Sequence, residues 1–283
     1  MLEQHDDWAD WIAACRRMVK AIEGVLARHP TTADRDVVVG LGEGGDRTLV
    51  IDAMAEDAVF AELGPLSDAC GGFTAIAEER GEVVFGDGLS ARRVIIDPID
   101  GSLNAKRVGG PCALSVAVAE GGTMADVAFG FVHDFHSGEE WIAVAGAGAE
   151  LDGRPLDREV QPRFRDDGRV EVLGIESADP RWVAAAMDGL LESAYRLRAL
   201  GAIAVSLCQV AAGRNDAMAS LRGCRSIDAA AAQLVVREAG GVVAWPHLDD
   251  PGSAPLDLLP HSPIVAGRNA AALEVAARVV GSV

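Results

Sequence analysis

The eight residues Asp97-Pro98-Ile99-Asp100-Gly101-Ser102-Leu103-Asn104 constrain this chain more than any other stretch. Val94-Ile95-Ile96, just before them, read as the end of a buried strand. Two carboxylates, a proline-stiffened turn, a glycine and a hydroxyl therefore stand where a strand stops. Mg²⁺ takes oxygen ligands in near-octahedral geometry and binds through one or two carboxylates, waters and phosphate oxygens. Asp97 and Asp100, three apart across a turn, are placed to converge on one such site, with the Ile99 carbonyl as a further oxygen donor. Gly101 lets the backbone approach an anion closely. A helix starting here would offer the N–H groups of Gly101 and Ser102 to a phosphate. Taken alone, the same residues also suit an Asp-Gly surface turn between strands.

A chain of 283 residues can bury a large core, as one big domain or two closely packed ones. Its 49% apolar and 24% charged residues are those of a globular protein. No stretch reaches the roughly 18 uninterrupted apolar residues of a membrane helix. The acidic start, Met1 to Asp7, lacks the basic and apolar regions of a signal peptide, which predicts a cytoplasmic protein. A net charge of −18 disfavours non-specific nucleic-acid binding. It does not disfavour a small phosphorylated substrate, because bound cations invert the local charge. The five cysteines, Cys15, Cys70, Cys112, Cys208 and Cys224, are widely spaced with no Cys-x-x-Cys, as expected of free thiols in a reducing compartment.

Apolar spacing from Trp8 to Leu26 predicts a helix, with Asp7 as its cap. Thr31 to Asp46 reads as a loop or lid, and Asp52 to Leu63 as a second helix. Strand-like runs follow at Phe73–Ala77, Val83–Phe85, Arg93–Ile96, Ala113–Ala119, Val127–Val132 and Trp141–Val144. The charged, irregular stretch 154–169 predicts a junction between an N-terminal α+β part (1–155) and a C-terminal α/β part (156–283) that form one catalytic unit. Beyond it come a strand at Val170–Ile175, a helix after Asp179-Pro180, helices near 202–212 and 227–239, a strand at Val242–Trp245 and a last helix from Asn269. The order is helices, a mostly antiparallel sheet, then an α/β half.

Three further acidic positions join the first motif. Glu78-Glu79 follows the apolar run Phe73–Ala77, Asp52 opens a helix, and Asp228 opens the alanine-rich helix ending in Glu238-Ala239-Gly240-Gly241. Together with Asp97-Pro98-Ile99-Asp100-Gly101-Ser102, Asn104 and the segment Leu207 to Asp216, they match one family in order and spacing over nearly the whole chain. The chain resembles the inositol monophosphatase family, within the superfamily that includes fructose-1,6-bisphosphatase.

The resemblance implies a layered α-β-α-β-α sandwich, usually a homodimer, and a phosphatase using two or three Mg²⁺. Glu78, Asp97 and the Ile99 carbonyl would hold one ion, and Asp97, Asp100 and Asp228 a second. Glu78 and Ser102 would orient the attacking water, with Asp52 supporting the Ser102 hydroxyl. The N–H groups of Gly101 and Ser102 would hold phosphate oxygens. The substrate side departs from the family's inositol-specific members. Ser220 stands near the place of their ring-binding Glu, and Ala202 where a Ser or Thr often contacts substrate. Ser102 and the Arg225-x-x-Asp228 spacing look closer to the archaeal-type enzymes that also accept fructose 1,6-bisphosphate. Arg198, Arg222 and Arg225 are candidates for a second phosphate. Leu103-Asn104 lacks the Lys-Glu of the nucleotide 3′-phosphatase branch. These features imply a sugar or cyclitol phosphate as substrate, with no nucleic-acid or membrane partner. A partner-binding role on the same fold, as in one bacterial branch, is the alternative, and the intact carboxylate set weighs against it.

Overall fold

The computed structural model describes residues 8–43, 45, 47–250 and 253–281. Helix α1 (Ala9–Arg28) buries Trp11, Ile12, Cys15, Val19, Ile22 and Val25 along one face, as the spacing requires. Asp7, expected as its cap, lies outside the described residues; Trp8 takes the cap position without a side-chain hydrogen bond. The segment expected as a loop is more ordered than that. It holds a one-turn helix, α2 (Thr32–Arg35), and the strand β1 (Val38–Leu41), which pairs antiparallel with β2 (Arg47–Leu49) just beyond it. Thr31 and Asp34 cap α2 reciprocally, a local signal written in the sequence as Thr-x-x-Asp. Helix α3 (Val50–Cys70) continues past Leu63 and through Pro65.

The first sheet follows: β3 (Phe73–Ala77), β4 (Gly81–Phe85), β5 (Arg93–Asp100), then helix α4 (Ser102–Arg107), β6 (Ala113–Ala119), β7 (Val127–Asp134), β8 (Glu140–Val144), β9 (Gly148–Leu151) and β10 (Arg154–Pro155). Its strand order is β10-β9-β8-β7-β6-β5-β3-β4. Only β3 and β5 run parallel; every other pairing is antiparallel. The second half holds β11 (Val170–Glu176), α5 (Pro180–Ala185), α6 (Met187–Ser193), β12 (Ala194–Arg198), α7 (Ile203–Ala211), β13 (Ala217–Ser220), α8 (Ser226–Glu238), β14 (Val242–Ala244), β15 (Val265–Gly267) and α9 (Ala270–Val280). Its sheet runs β12-β11-β13-β15-β14.

These elements stack in five layers, and the pleat explains how. Alternate residues of one strand feed different cores. Val94 and Ile96 of β5, with Leu114, Val116 and Val118 of β6, pack under α1 and α3. Ile95, Ala113, Ala117 and Ala119 face the other way, onto α7 and α8. A sheet covered on both faces takes apolar residues at almost every position, which is why these strands read as near-continuous apolar runs, Ser115 of β6 being the exception within its run. The α7/α8 layer meets the second sheet through Met218 and Ala266, and α6 and α9 cover that sheet's far side through Leu190, Val275 and Val279. Helix α8 lies so close to β7 that a Cβ on Gly130 would sit 2.7 Å from the Ala231 carbonyl oxygen. No described helix is long and apolar enough to cross a membrane.

Candidate active site

The site forms where strands of the first sheet end. The parallel pairing of β3 with β5 stops at Ala77 opposite Ile96, so Glu78 and Asp97 leave neighbouring strands at the same level. Strand β5 does not stop at Ile96 as the apolar run suggested. It pairs with β6 on to Asp100, and the register slips between Asp97↔Ser115 and Asp100↔Ala113, three steps against two. A bulge of this kind bends the strand and re-aims its side chains. Here the Asp97 carboxylate accepts the Ile99 N–H at 2.9 Å. The chain then turns through Gly101 at φ 86° and enters α4. A Cβ there would lie 2.9 Å from the Pro111 carbonyl oxygen and 3.0 Å from that of Gly201, so only glycine fits.

Asp97, Asp100 and Asp228 converge, with one oxygen from each lying within 4.8 Å of the others. Asp100 accepts the N–H groups of Ile203 (3.2 Å) and Ala204 (2.7 Å), and so caps α7 from a distant strand. Asp228 sits in the first turn of α8. Burial first, then Asp100, Asp228 and Glu78, push the Asp97 carboxyl well above its ordinary value, against the pull of Arg225. Asp100 is raised by burial and by Asp228. Asp228 is raised by burial, against Arg225. Buried carboxylates at this spacing repel one another and supply only hard oxygen donors. That set suits Mg²⁺, which would relieve the repulsion.

Behind this cluster lies a second acidic group. Asp52 is pushed up to about 7 by burial and then by Glu79. Its Oδ1 is buried without a hydrogen-bond partner among the described residues. Glu56 is likewise raised to about 7, chiefly by burial, although it accepts the Glu79 N–H at 3.0 Å. The Ser102 hydroxyl donates to the Ile99 carbonyl at 3.0 Å. Asp52, Glu78, Asp97 and Ser102 line one small recess.

Outside the carboxylates opens a cavity of about 800 Å³. The structure brings Glu78, Asp97, Ile99, Asp100, Gly101, Ser102, Arg222, Arg225 and Asp228 to its wall, with Asp52 in the adjoining recess. Three expected substrate residues are not there. Ala202 is buried in the core at the start of α7. The Ser220 hydroxyl donates to the Arg222 carbonyl (2.7 Å) and accepts the Ile264 N–H (3.0 Å), tying two backbone segments together inside the protein. Arg198 lies exposed on β12, an edge strand, with Nη1 on the Leu197 carbonyl. Lys106, in α4 beyond Ser102, is held in an ion pair with Asp36.

The sequence reading passed over Glu176, which lines the cavity at the end of β11. It accepts the N–H groups of Leu200 (3.1 Å) and Gly201 (3.0 Å) and the Ser206 hydroxyl, fixing the 199–201 wall. The missed signal was the one that exposed Glu78 and Asp97, an acid directly after an apolar strand. Asn104 braces the same wall, donating to the Pro111 (2.8 Å) and Leu200 (2.6 Å) carbonyls. On the far rim Arg222 stacks over Trp182, its guanidinium carbon 5.3 Å from the ring centre.

Five layers of this order put a carboxylate cluster at the strand ends beside a glycine turn, hard oxygen donors for a cation next to a seat for an anion. The comparisons then give the particular family. A profile described as "Inositol monophosphatase family" matches residues 7–282, and the chain belongs to that family. A fructose-1,6-bisphosphatase/inositol-1-monophosphatase of Methanothermobacter thermautotrophicus is 32% identical over 242 residues, covering 82% of this chain and 83% of that protein. A Nus factor SuhB of Pasteurella multocida is 30% identical over 230 residues, covering 80% and 82%. A crystal structure of an inositol monophosphatase–fructose 1,6-bisphosphatase superposes with a TM-score of 0.79 over 96% of this chain and 99% of that one. At 22% identity that last likeness bears on the fold alone.

Proposed function

We infer that this phosphatase hydrolyses the phosphomonoester of a small sugar or cyclitol in a Mg²⁺-dependent reaction. The observation that carries the reading is the convergence of Asp97, Asp100 and Asp228 within 4.8 Å beside the Gly101 turn. Glu78, Asp97 and the Ile99 carbonyl would hold one Mg²⁺, and Asp97, Asp100 and Asp228 a second, with room for a third left open. Bound Mg²⁺ supplies an acidified water as nucleophile and charge stabilisation for the leaving oxygen. Ser102 and Glu78 orient the attacking water. Asp52, whose carboxyl burial and then Glu79 push up in the metal-free site, supports the Ser102 hydroxyl. First-turn N–H groups of α4 lack intrahelical acceptors and face the phosphate oxygens. Rate then comes mostly from positioning and electrostatics.

Several features favour a substrate with a second anionic group, such as a sugar bisphosphate. The cavity is roomy, no acid stands where the inositol-specific Glu would, and Arg222 is held on Trp182 at the rim. The five free cysteines support work in a reducing cytoplasm. We expect a homodimer. The relative named Nus factor SuhB motivates a second reading, a partner-binding role on the same surface.

The test is phosphate release with and without Mg²⁺ from inositol 1-phosphate, fructose 1,6-bisphosphate, glucose 1-phosphate, adenosine 3′,5′-bisphosphate and NADP. Mg²⁺-dependent turnover lost in Asp97→Asn supports the reading. A folded, Mg²⁺-binding protein inert on all five would sink the substrate class. A cellular phenotype that survives Asp97→Asn would favour the partner role.

A further inference from the structure

Glu78 already has a cation. Its Oε1 lies 2.7 Å from Arg225 Nη1 and its Oε2 3.1 Å from Nη2, a two-pronged pairing. The same guanidinium stands 3.7 Å from Asp228 Oδ1. Arg225 and Glu78 are only 20% and 18% exposed, so water screens the pair far less than it would at the surface. The backbone of Arg225 is anchored, because its N–H donates to Asp228 at 3.2 Å. On its two sides the Cys224 N–H reaches the Ser262 carbonyl (3.0 Å) and the Ser226 hydroxyl the Asp257 carbonyl (2.5 Å). A change of partner at Arg225 therefore takes place in the side chain.

A guanidinium cannot ligate a metal and keeps its charge at any ordinary pH. Any divalent cation arriving between Glu78 and Asp228 meets that fixed charge. Nothing in the sequence reading required this; Arg225 was expected to face a substrate phosphate.

We propose that Arg225 is a built-in counter-cation of the carboxylate cluster. It stabilises the metal-free site and competes with divalent cations for Glu78 and Asp228, so it sets how tightly the site holds metal. The proposal rests on the reading above that Glu78 and Asp228 are ligands. Displaced from Glu78, the side chain remains on the cavity wall, beside the space for substrate.

The experiment is calorimetric titration of chelator-stripped full-length protein with MgCl₂, comparing wild type, Arg225→Gln and Arg225→Lys, with unfolding midpoints taken with and without Mg²⁺. Arg225→Gln is expected to bind Mg²⁺ on the order of tenfold more tightly, to unfold at lower temperature without metal and to gain more from Mg²⁺. Arg225→Lys should fall between, since an ammonium keeps the charge but cannot span both Glu78 oxygens. It also carries the comparison should the Gln variant not fold. Unchanged or weaker Mg²⁺ binding in both variants overturns the proposal. A wild-type protein that binds Mg²⁺ while neither variant tightens sinks this inference alone. If neither the wild type nor either variant takes up Mg²⁺, the metal reading falls and this inference with it.

Discussion

Asp52→Asn should make the metal-free protein more stable at alkaline pH and no more stable at acid pH. Asp52 sits at about 7 instead of its ordinary 3.8, because burial and Glu79 oppose its charge. The folded state therefore holds this proton more tightly than the unfolded chain does. With more protons bound when folded, stability falls as pH rises from about 4 through about 7. The full shift of about three units corresponds to about 4 kcal/mol by pH 8, at ~1.4 kcal/mol per unit, as an upper bound. Asparagine removes the charge, but one end of its amide inherits the buried Oδ1 position that has no partner. That omission costs about 1–3 kcal/mol. The net expectation is a gain of roughly 1–3 kcal/mol at pH 8 and a loss of up to roughly 1–3 kcal/mol near pH 4, where the native carboxyl is already neutral and only the cost of the amide remains. Urea unfolding in chelator across this range is the assay. The same variant should lose turnover in Mg²⁺, since Asp52 no longer supports Ser102. A stability difference that stays constant with pH, or a variant less stable than wild type at pH 8, would refute the reasoning.

Three other outcomes are expected. The unfolding midpoint of the metal-free wild type should fall as pH rises through the carboxylate range, because Asp97, Asp100 and Asp228 are all raised; Mg²⁺ at about 100 times its Kd should restore ~2.7 kcal/mol, and calorimetry showing neither effect would count against the metal site. Glu176→Ala removes the acceptor of two backbone N–H groups and the Ser206 hydroxyl, so urea unfolding should show a loss of about 3 kcal/mol; a loss under ~1 kcal/mol would mean that water replaces the carboxylate. Arg222→Ala should raise KM for a sugar bisphosphate by about tenfold with little change in kcat, and leave a monophosphate nearly unaffected; equal effects on both would remove Arg222 from recognition.

Much of this was legible in the sequence because the signals are local. Each apolar run that ends in an acid brings a carboxylate to the cavity, Glu78 just past the end of β3 and Asp97 at the bulge of β5, and the alanine-rich stretch after Asp228 packs between the sheets as a helix. What stayed hidden depends on tertiary partners. The short strands β12, β13 and β15 exist because neighbouring backbone pairs with them, not because their residues favour extension. The bulge that carries β5 to Asp100 depends on β6. Ser220 looked like a substrate contact by its place in the chain, yet its hydroxyl is used up by the Arg222 and Ile264 backbone. No spacing rule foretells that Asp100, on a strand, caps a helix that starts a hundred residues later.

That cap is part of how the fold tolerates buried like charges. Helix α4 begins directly after Asp100 and Gly101, α7 begins on the Asp100 carboxylate, and α8 carries Asp228 in its first turn. Three helix N-termini, each with unsatisfied N–H groups and a partial positive charge, thus converge on the acidic cluster. Each offsets up to about 1 kcal/mol of negative charge nearby, more where partly buried. That is too little to neutralise Asp97, Asp100 and Asp228 outright, since all three remain raised. Arg225 supplies one full positive charge and still leaves the cluster in excess. The cluster is therefore left short of positive charge, a deficit that bound divalent cations would make up. The same helix ends that soften the repulsion also favour the phosphate that follows them.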